Sequence, residues 1–146
     1  MSWQMLLARQ LVRSHVTSKN EIDELRGVIA RDLADAAISA LSSDRRFATA
    51  YNAALQTAKI VIACAGYRVA GLGHHQTTFE AAELAIGSQS ATLMAFFDTC
   101  RRKRNIVDYD RHTSLRIRKL SKCWKKQNGF FKLRRIGLPL TIPPLR

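Results

Sequence analysis

Proline is absent from the first 138 residues of this 146-residue chain, and all three prolines lie in the last eight positions. Because proline ends or kinks an α-helix, its absence leaves this long stretch free to form helices. Apolar residues recur there at steps of three and four, which is the spacing of one buried face on an α-helix. We therefore expect an all-α protein, and no β-strand is predicted.

Two amphipathic helices are predicted near the start of the chain. The first carries Trp3, Leu7 and Leu11 on one face and is expected to end near residue 15. The second begins with the capping box Ser18–Glu21, in which the hydroxyl and the carboxylate each satisfy a free backbone N–H. The apolar stripe of this second helix consists of Ile22, Leu25, Ile29, Leu33, Ala36 and Ala40.

A third helix of about six turns is predicted after Ser42-Ser43-Asp44, a run of residues that favour a helix cap. It continues to Gly66 and is rich in alanine, which allows neighbouring helices to approach closely. Its apolar stripe consists of Phe47, Tyr51, Leu55, Ala58 and Ile62.

The glycine-containing segment Gly66–Gln76 is expected to be a loop. A second capping box, Thr77–Glu80, is expected to open a short fourth helix that runs through Ile86. Gly87 ends that helix, and a fifth follows over about Gln89–Tyr109. Four to five helices joined by short loops predict an up-and-down helical bundle.

The net charge of +13 is unevenly distributed along the chain. Residues 1–110 contain 13 basic and 11 acidic residues, whereas residues 111–146 contain 11 basic residues and no acid. Since 47% of the residues are hydrophobic, a buried core is expected for most of the length. We therefore predict a helical-bundle domain over 1–110 and a basic tail over 111–146.

Two explanations of the tail stay open. A shift of the reading frame after Asp110 accounts for the sudden loss of acidic residues. Alternatively the tail is genuine and poorly ordered. Trp124, Phe130 and Phe131 stand among its lysines, and such a segment can stack on bases and neutralise phosphates.

Several classes of protein are not indicated. Cys64, Cys100 and Cys123 have no CxxC spacing, so neither a disulfide framework nor a zinc site is predicted. The longest apolar run, Ile60–Gly66, is far shorter than the roughly 20 residues that cross a bilayer, and no signal-peptide core is evident. We expect a cytoplasmic protein that uses no cofactor or metal and does not bind membranes.

The predicted fifth helix places an arginine inside its apolar stripe. At 100° per residue Arg104 falls on the buried face, where a charge needs a partner. The stripe itself consists of Leu93, Phe96, Phe97, Cys100 and Val107. A polar strip beside it consists of Arg101, Asn105, Asp108, Tyr109 and, if the helix continues, His112.

Two interpretations of this polar strip stay open. Its guanidinium, amide and phenol groups can hold a phosphodiester, because arginine matches phosphate oxygens with paired hydrogen bonds. Alternatively Arg101 and Arg104 form ion pairs with Asp108 or with acids of the second helix. The basic cluster 101–104 is also favoured by the helix dipole near a C-terminus.

Segments of the first 110 residues, most clearly after residue 18, resemble small bacterial proteins of the HEPN-domain superfamily. The resemblance implies a helical bundle that often pairs as a homodimer. In many members it also implies a metal-independent endoribonuclease of toxin or defence systems. The segments that carry the resemblance are Asp44–Leu55, Ala65–Arg68, His74–Phe79 and Phe97–Tyr109.

The superfamily signature is an arginine, a polar residue and, after a short spacer, a histidine. Arg104 matches the arginine and Asn105 the polar residue, whereas Tyr109 stands in the place of the histidine. In the implied mechanism the arginine stabilises the phosphorane charge, and the imidazole moves a proton during attack by the ribose 2′-hydroxyl. Because a phenol with a pKa of about 10 is a weak base at neutral pH, the proton role stays open between Tyr109 and a histidine.

Further candidate residues and partners remain to be named. Adjacent His74 and His75 are second-choice proton carriers if they line a groove near Arg104, although packing or capping of the loop is the alternative. The resemblance leaves two functions open, an endoribonuclease and a non-catalytic binding or scaffold module. Its implied partners are a second copy of the chain, RNA, and a cognate antitoxin or nucleotidyltransferase. The nucleic-acid-binding candidates are Arg101, Arg102 and Lys103, and the third histidine candidate is His112.

Overall fold

The computed structural model of the protein describes residues 1–71 and 74–109, with side chains through residue 105, and the predicted basic tail lies outside this part. The fold is an all-α helical bundle with one very small sheet, which confirms the predicted class. Its elements are α1 (Trp3–Ala8), β1 (Val12–Ser14), α2 (Lys19–Ala37), α3 (Ser43–Cys64), β2 (Tyr67–Val69), α4 (His74–Ile86), a 3-10 turn (Ser88–Ser90) and α5 (Ala91–Tyr109).

Helices α2 and α3 begin where their capping residues predict. The Ser18 hydroxyl accepts a hydrogen bond from the backbone N–H of Glu21 at 3.2 Å. In the same way Ser42 accepts from the backbone N–H of Arg45 at 3.4 Å and starts α3. Each cap satisfies one of the N–H groups that the first helical turn leaves without a partner.

Helix α3 lies at the centre of the bundle and is buried on two faces. One face packs against α2, where Ala53 and Ile60 contact Ile29. The other face packs against α4 and α5, with the alanines allowing the helices to approach closely. The largest fully buried side chains of the main core are Tyr51, Phe79, Phe97, Leu6, Ile62 and Val12.

The prediction that the chain has no strand is wrong. Strands β1 and β2 pair antiparallel, with Val12 opposite Val69. Helix α1 therefore ends at Ala8 rather than near residue 15, and the predicted loop after Gly66 contains β2. Strands of three residues are too short to show a period of two, and they depend on pairing across more than fifty residues, so periodicity does not reveal them.

The start of α4 also differs from the prediction. The helix begins at His74, so Thr77 and Thr78 are buried inside it and form no capping box. The Thr78 hydroxyl donates to the backbone carbonyl of His74 at 2.6 Å, which is how threonine satisfies itself within a helix. Beyond α2, Ala40 lies outside the helix and takes no part in the predicted stripe.

The segment that joins α4 to α5 is close to the prediction. Gly87 adopts a φ of 108°, a conformation that glycine tolerates best, and separates α4 from the next helical turn. That turn is a 3-10 turn, so α5 proper starts at Ala91 instead of residue 89. Among the described helices none is both long enough and apolar enough to cross a membrane.

Candidate anion-binding cleft

A cleft of about 670 Å³ lies where the small sheet, the start of α2, the second half of α3, the start of α4 and the end of α5 meet. Three of the four histidines in the sequence line it, together with three basic residues. We call it the histidine cleft. These six residues are His15, His74, His75, Lys59, Arg68 and Arg101.

The small sheet brings distant parts of the chain to the cleft. The backbone N–H of His15 donates to the carbonyl of Gly66 at 2.9 Å, which continues the pairing of β1 with β2. Tyr67 of β2 lines the cleft, and its ring stacks on Trp3 with the two centroids 4.2 Å apart. The sheet therefore places an aromatic ring and His15 in the same wall.

Glu21 is the only acidic residue among the described residues that line the cleft. One of its carboxylate oxygens lies 2.8 Å from His15 Nε2, and the Thr17 hydroxyl donates to the same oxygen at 2.8 Å. The hydrogen bond with His15 is the main reason that the pKa of Glu21 is lowered. Because this carboxylate is already engaged, it offers little opposing negative charge to Lys59 and Arg68, which line the same cleft.

Helix α5 contributes Arg101 and Asn105, which are one turn apart and both line the cleft. The Nε of Arg101 donates to Asp98 at 2.7 Å, and this hydrogen bond lowers the pKa of that carboxyl group. An ion pair for Arg101 was one of the two predicted interpretations, and among the described side chains its partner is Asp98, one turn earlier. The side chain of Asp108, a predicted partner, lies outside the described part. The contact fixes the arginine and leaves it in the cleft wall.

Arg104 lies behind the cleft rather than in its wall. Its guanidinium carbon is 5.6 Å from the centroid of the Tyr51 ring, and its Nε is buried. An aromatic face attracts a cation through its ring quadrupole. The ring of Tyr51 therefore stabilises the positive charge of Arg104, which lies within an apolar stripe. Phe97 and Cys100 of that predicted stripe are buried as expected.

Tyr51 joins this half-buried arginine to the cleft. Its hydroxyl lies 3.2 Å from Nδ1 of His75, and the two rings are also in contact. Burial raises the pKa of Tyr51 to about 12, so the phenol keeps its proton at neutral pH. Burial also lowers the pKa of His75, and the positive charges of Arg104 and Lys59 lower it further, so this imidazole is neutral at pH 7.

The structure brings together only part of the predicted site. Arg101, Asn105, His74 and His75 meet in the cleft. Arg102 is exposed and pairs with Asp98 at 3.0 Å, and Lys103 is half-buried and absent from the cleft wall.

Two of the predicted residues have no described side chain. Tyr109 is the last residue of α5, and its side chain lies outside the described part. His112 lies outside the described residues altogether.

The site predicted from the sequence does not include His15, Lys59, Arg68, Tyr67 or Tyr51. Tyr51 was assigned to the core stripe of the third helix, which is where its ring lies, but its hydroxyl reaches the cleft. His15, Arg68 and Tyr67 are brought together by the pairing of β1 with β2, which periodicity did not reveal, and Lys59 reaches the cleft from α3. No local sequence signal distinguishes them from surface residues.

A comparison of the chain with protein-family models, with curated proteins and with solved structures finds no match in any of the three. Within the described part, no group of three or more histidine, cysteine or acidic side chains is arranged to hold a metal ion. The chemistry that the cleft does offer is that of cations, imidazoles, an amide and an aromatic ring, which suits an anionic ligand.

Proposed function

We propose that this protein is a HEPN-like, RNA-associated protein whose histidine cleft binds the phosphate backbone of single-stranded RNA. The observation that carries the proposal is that Lys59, Arg68 and Arg101 line one cleft, in which the single acidic residue among the described lining residues, Glu21, is already paired with His15. Lysine and arginine are the residues that neutralise backbone phosphates, and the resulting affinity depends strongly on salt.

The aromatic wall favours a nucleic acid over a free anion. Tyr67 lines the cleft with one face stacked on Trp3, which holds its ring in place. Single-stranded nucleic acids bind in grooves that combine positive charge with aromatic side chains, because every base can stack on such a ring. Asn105 and His74 add hydrogen-bonding groups that can reach base edges or the ribose.

A second candidate function is cleavage of the bound RNA without a metal. A neutral imidazole, that of His75, lies in the same cleft as the cations, and such a group can accept a proton near pH 7. The likeness to HEPN proteins supports the same reaction. The homodimer and the cognate antitoxin or nucleotidyltransferase that this likeness implies stay predictions.

RNA binding by charge-removal variants of the full chain tests the proposal. Fluorescence anisotropy with a labelled single strand of about 20 nucleotides is recorded over a range of salt concentrations in EDTA, with Lys59→Ala and Arg101→Ala compared with the wild type. Loss of one phosphate contact on a single strand reduces the salt slope by about 0.7, which corresponds to about fivefold in affinity at 0.1 M salt. We expect this change for each variant and about 25-fold for the double variant.

Arg45→Ala is the matched control. Arg45 is exposed near the start of α3, the helix that carries Lys59, and lies about 21 Å from it along the helix axis. Its removal lowers the net charge by the same amount as Lys59→Ala but leaves the cleft intact. Equal losses of affinity for Arg45→Ala and Lys59→Ala would show that RNA is bound by overall charge or by the basic tail, and the proposal would be wrong.

A further inference from the structure

The two ring nitrogens of His75 have different surroundings. Nδ1 lies 3.2 Å from the Tyr51 hydroxyl, and among the described residues no hydrogen-bond partner is present for Nε2. Tyr51 is itself held in place, since it is 1% exposed and its ring meets Phe79 edge to face. A fixed phenol thus orients an imidazole that lines the cleft.

We propose that His75 is the catalytic residue that accepts the ribose 2′-hydroxyl proton during RNA cleavage, and that Tyr51 is its positioning residue. The inference rests on the proposed RNA binding in the histidine cleft. It assigns the proton role to His75 rather than to Tyr109. His74, its exposed neighbour, has no side-chain partner among the described residues to orient its ring.

The reaction needs no oxidant, metal or added nucleophile. Nδ1 of His75 keeps its proton and donates it to the Tyr51 oxygen, so the lone pair on Nε2 takes the 2′-hydroxyl proton. The 2′-oxygen forms a bond to phosphorus and the bond from phosphorus to the 5′-oxygen breaks. Water protonates the departing oxygen, and the imidazolium returns its proton to the solvent. The products are a 2′,3′-cyclic phosphate and a 5′-hydroxyl.

Burial and the neighbouring positive charges keep the ring of His75 neutral at physiological pH. Burial is the main cause of its lowered pKa, followed by the positive charge of Arg104. Since the reaction needs the neutral ring, the rate of cleavage should rise with pH and reach a plateau. The midpoint of this rise should lie below 6.5, the ordinary pKa of histidine. Among the side chains that the structure describes, the titratable and charged groups around the ring are Tyr51 and Lys59 of α3, Arg101 and Arg104 of α5, His74 of α4 and, across the cleft, His15, Glu21, Tyr67 and Arg68.

Cleavage of the labelled RNA by the full chain in EDTA, followed on denaturing gels with analysis of the end groups, tests the assignment. We expect His75→Ala and His75→Gln to lower the cleavage rate by at least about 100-fold, the scale of general-base catalysis, while RNA affinity changes by less than about fivefold. Circular dichroism confirms that the variants are folded. A loss of cleavage in Tyr109→Phe together with retention in His75→Gln would instead assign the proton role to Tyr109.

Arg104→Met tests whether the positive charge of Arg104 sets the pKa of His75 or whether Arg104 only supports the fold. Removal of its positive charge should raise the pKa of His75 and move the midpoint of the pH–rate profile upward, with RNA affinity little changed. Tyr51→Phe should lower kcat without changing RNA affinity. An unchanged midpoint in Arg104→Met combined with weakened RNA binding would make Arg104 a phosphate ligand and contradict this arrangement.

The two proposals fail in different ways. RNA that binds in the cleft but is not cleaved by the wild type overturns the role of His75 and leaves RNA binding standing. Cleavage that persists in both His75 variants overturns it as well. Absence of cleft-dependent binding overturns both proposals together.

Discussion

A polar pair between α2 and α3, with a buried carboxylate and a half-buried amide, gives the sharpest prediction about the stability of the fold. Asp32 is only 6% exposed, and the Asn52 amide donates a hydrogen bond to its carboxylate. Replacing Asn52 with leucine leaves the Oδ2 oxygen of this buried carboxylate without a donor, while Oδ1 keeps its ion pair with Arg31 at 3.5 Å. A buried polar group that loses its partner destabilises the protein by more than a hydrogen bond normally contributes, and the effect is larger when the group is charged. We therefore expect a loss of about 2–3 kcal/mol in the free energy of unfolding. At about 4 °C per kcal/mol, this corresponds to a fall in Tm of about 10 °C.

A double-mutant cycle tests the origin of that loss. Asp32→Leu alone should cost about 1–2 kcal/mol, because the Asn52 amide loses its acceptor. The double variant should lose about 1 kcal/mol or less, since neither polar group remains and the two leucines pack against each other. The coupling free energy is then about 2 kcal/mol or more, measured by urea unfolding followed by circular dichroism at 222 nm.

An exposed pair on the same helix provides the control. The Asn20 amide donates to Glu24 at 2.9 Å on the solvent face of α2. Asn20→Leu removes a similar amide–carboxylate bond, and its effect should stay within about 0.5 kcal/mol. If the losses for Asp32→Leu and Asn52→Leu simply add in the double variant, the cost does not come from leaving one member of the pair without its partner, and the reasoning is refuted.

Further predictions concern caps, backbone and pH. Ser18→Ala should lower the free energy of unfolding by about 1 kcal/mol in urea melts, because the first turn of α2 loses its side-chain acceptor. Gly87→Ala should destabilise by about 1 kcal/mol or more, because φ is 108° there, whereas Gly27→Ala, inside α2 with open space around it, should stabilise by about 0.5–1 kcal/mol. The pKa values of Glu21 and Asp98 are lowered in the folded protein, so their contribution to stability is present above about pH 4.5 and is lost as pH falls through the folded values. Thermal melts between pH 6 and 3 should show a smaller acid-induced fall in Tm for Asp98→Asn than for the wild type, and an equal fall would contradict the assignment.

Local signals in the sequence were sufficient for the helices that carry their own start and stop residues. Ser18 and Ser42 cap α2 and α3 as predicted, because capping depends on residues within one turn. The second capping box was wrong for a reason that is not local. Thr77 and Thr78 are buried against the core, and the helix gains a turn at its start by including His74 and His75.

The candidate site was predicted only where it depends on the rotation of one helix. Arg101 and Asn105 share a face of α5 because they are four residues apart, and both line the cleft. The same geometry placed Arg104 in the apolar stripe, but the nature of its partner, the ring of Tyr51, depends on how α3 packs against α5. His15, Arg68 and Tyr67 reach the cleft through the pairing of two three-residue strands, and no periodic pattern in the sequence reports such a contact.

The most direct test of the central claim is to follow the histidine ring signals of the full chain by NMR during titration with a short single-stranded RNA. Three of the four histidines line the cleft, so they report on it independently of the basic tail. We predict that the ring signals of His74 and His75, assigned with single glutamine variants, shift in a saturable manner as RNA is added. Saturable binding of RNA that leaves the rings of His15, His74 and His75 unshifted would place the RNA elsewhere on the protein and contradict the account.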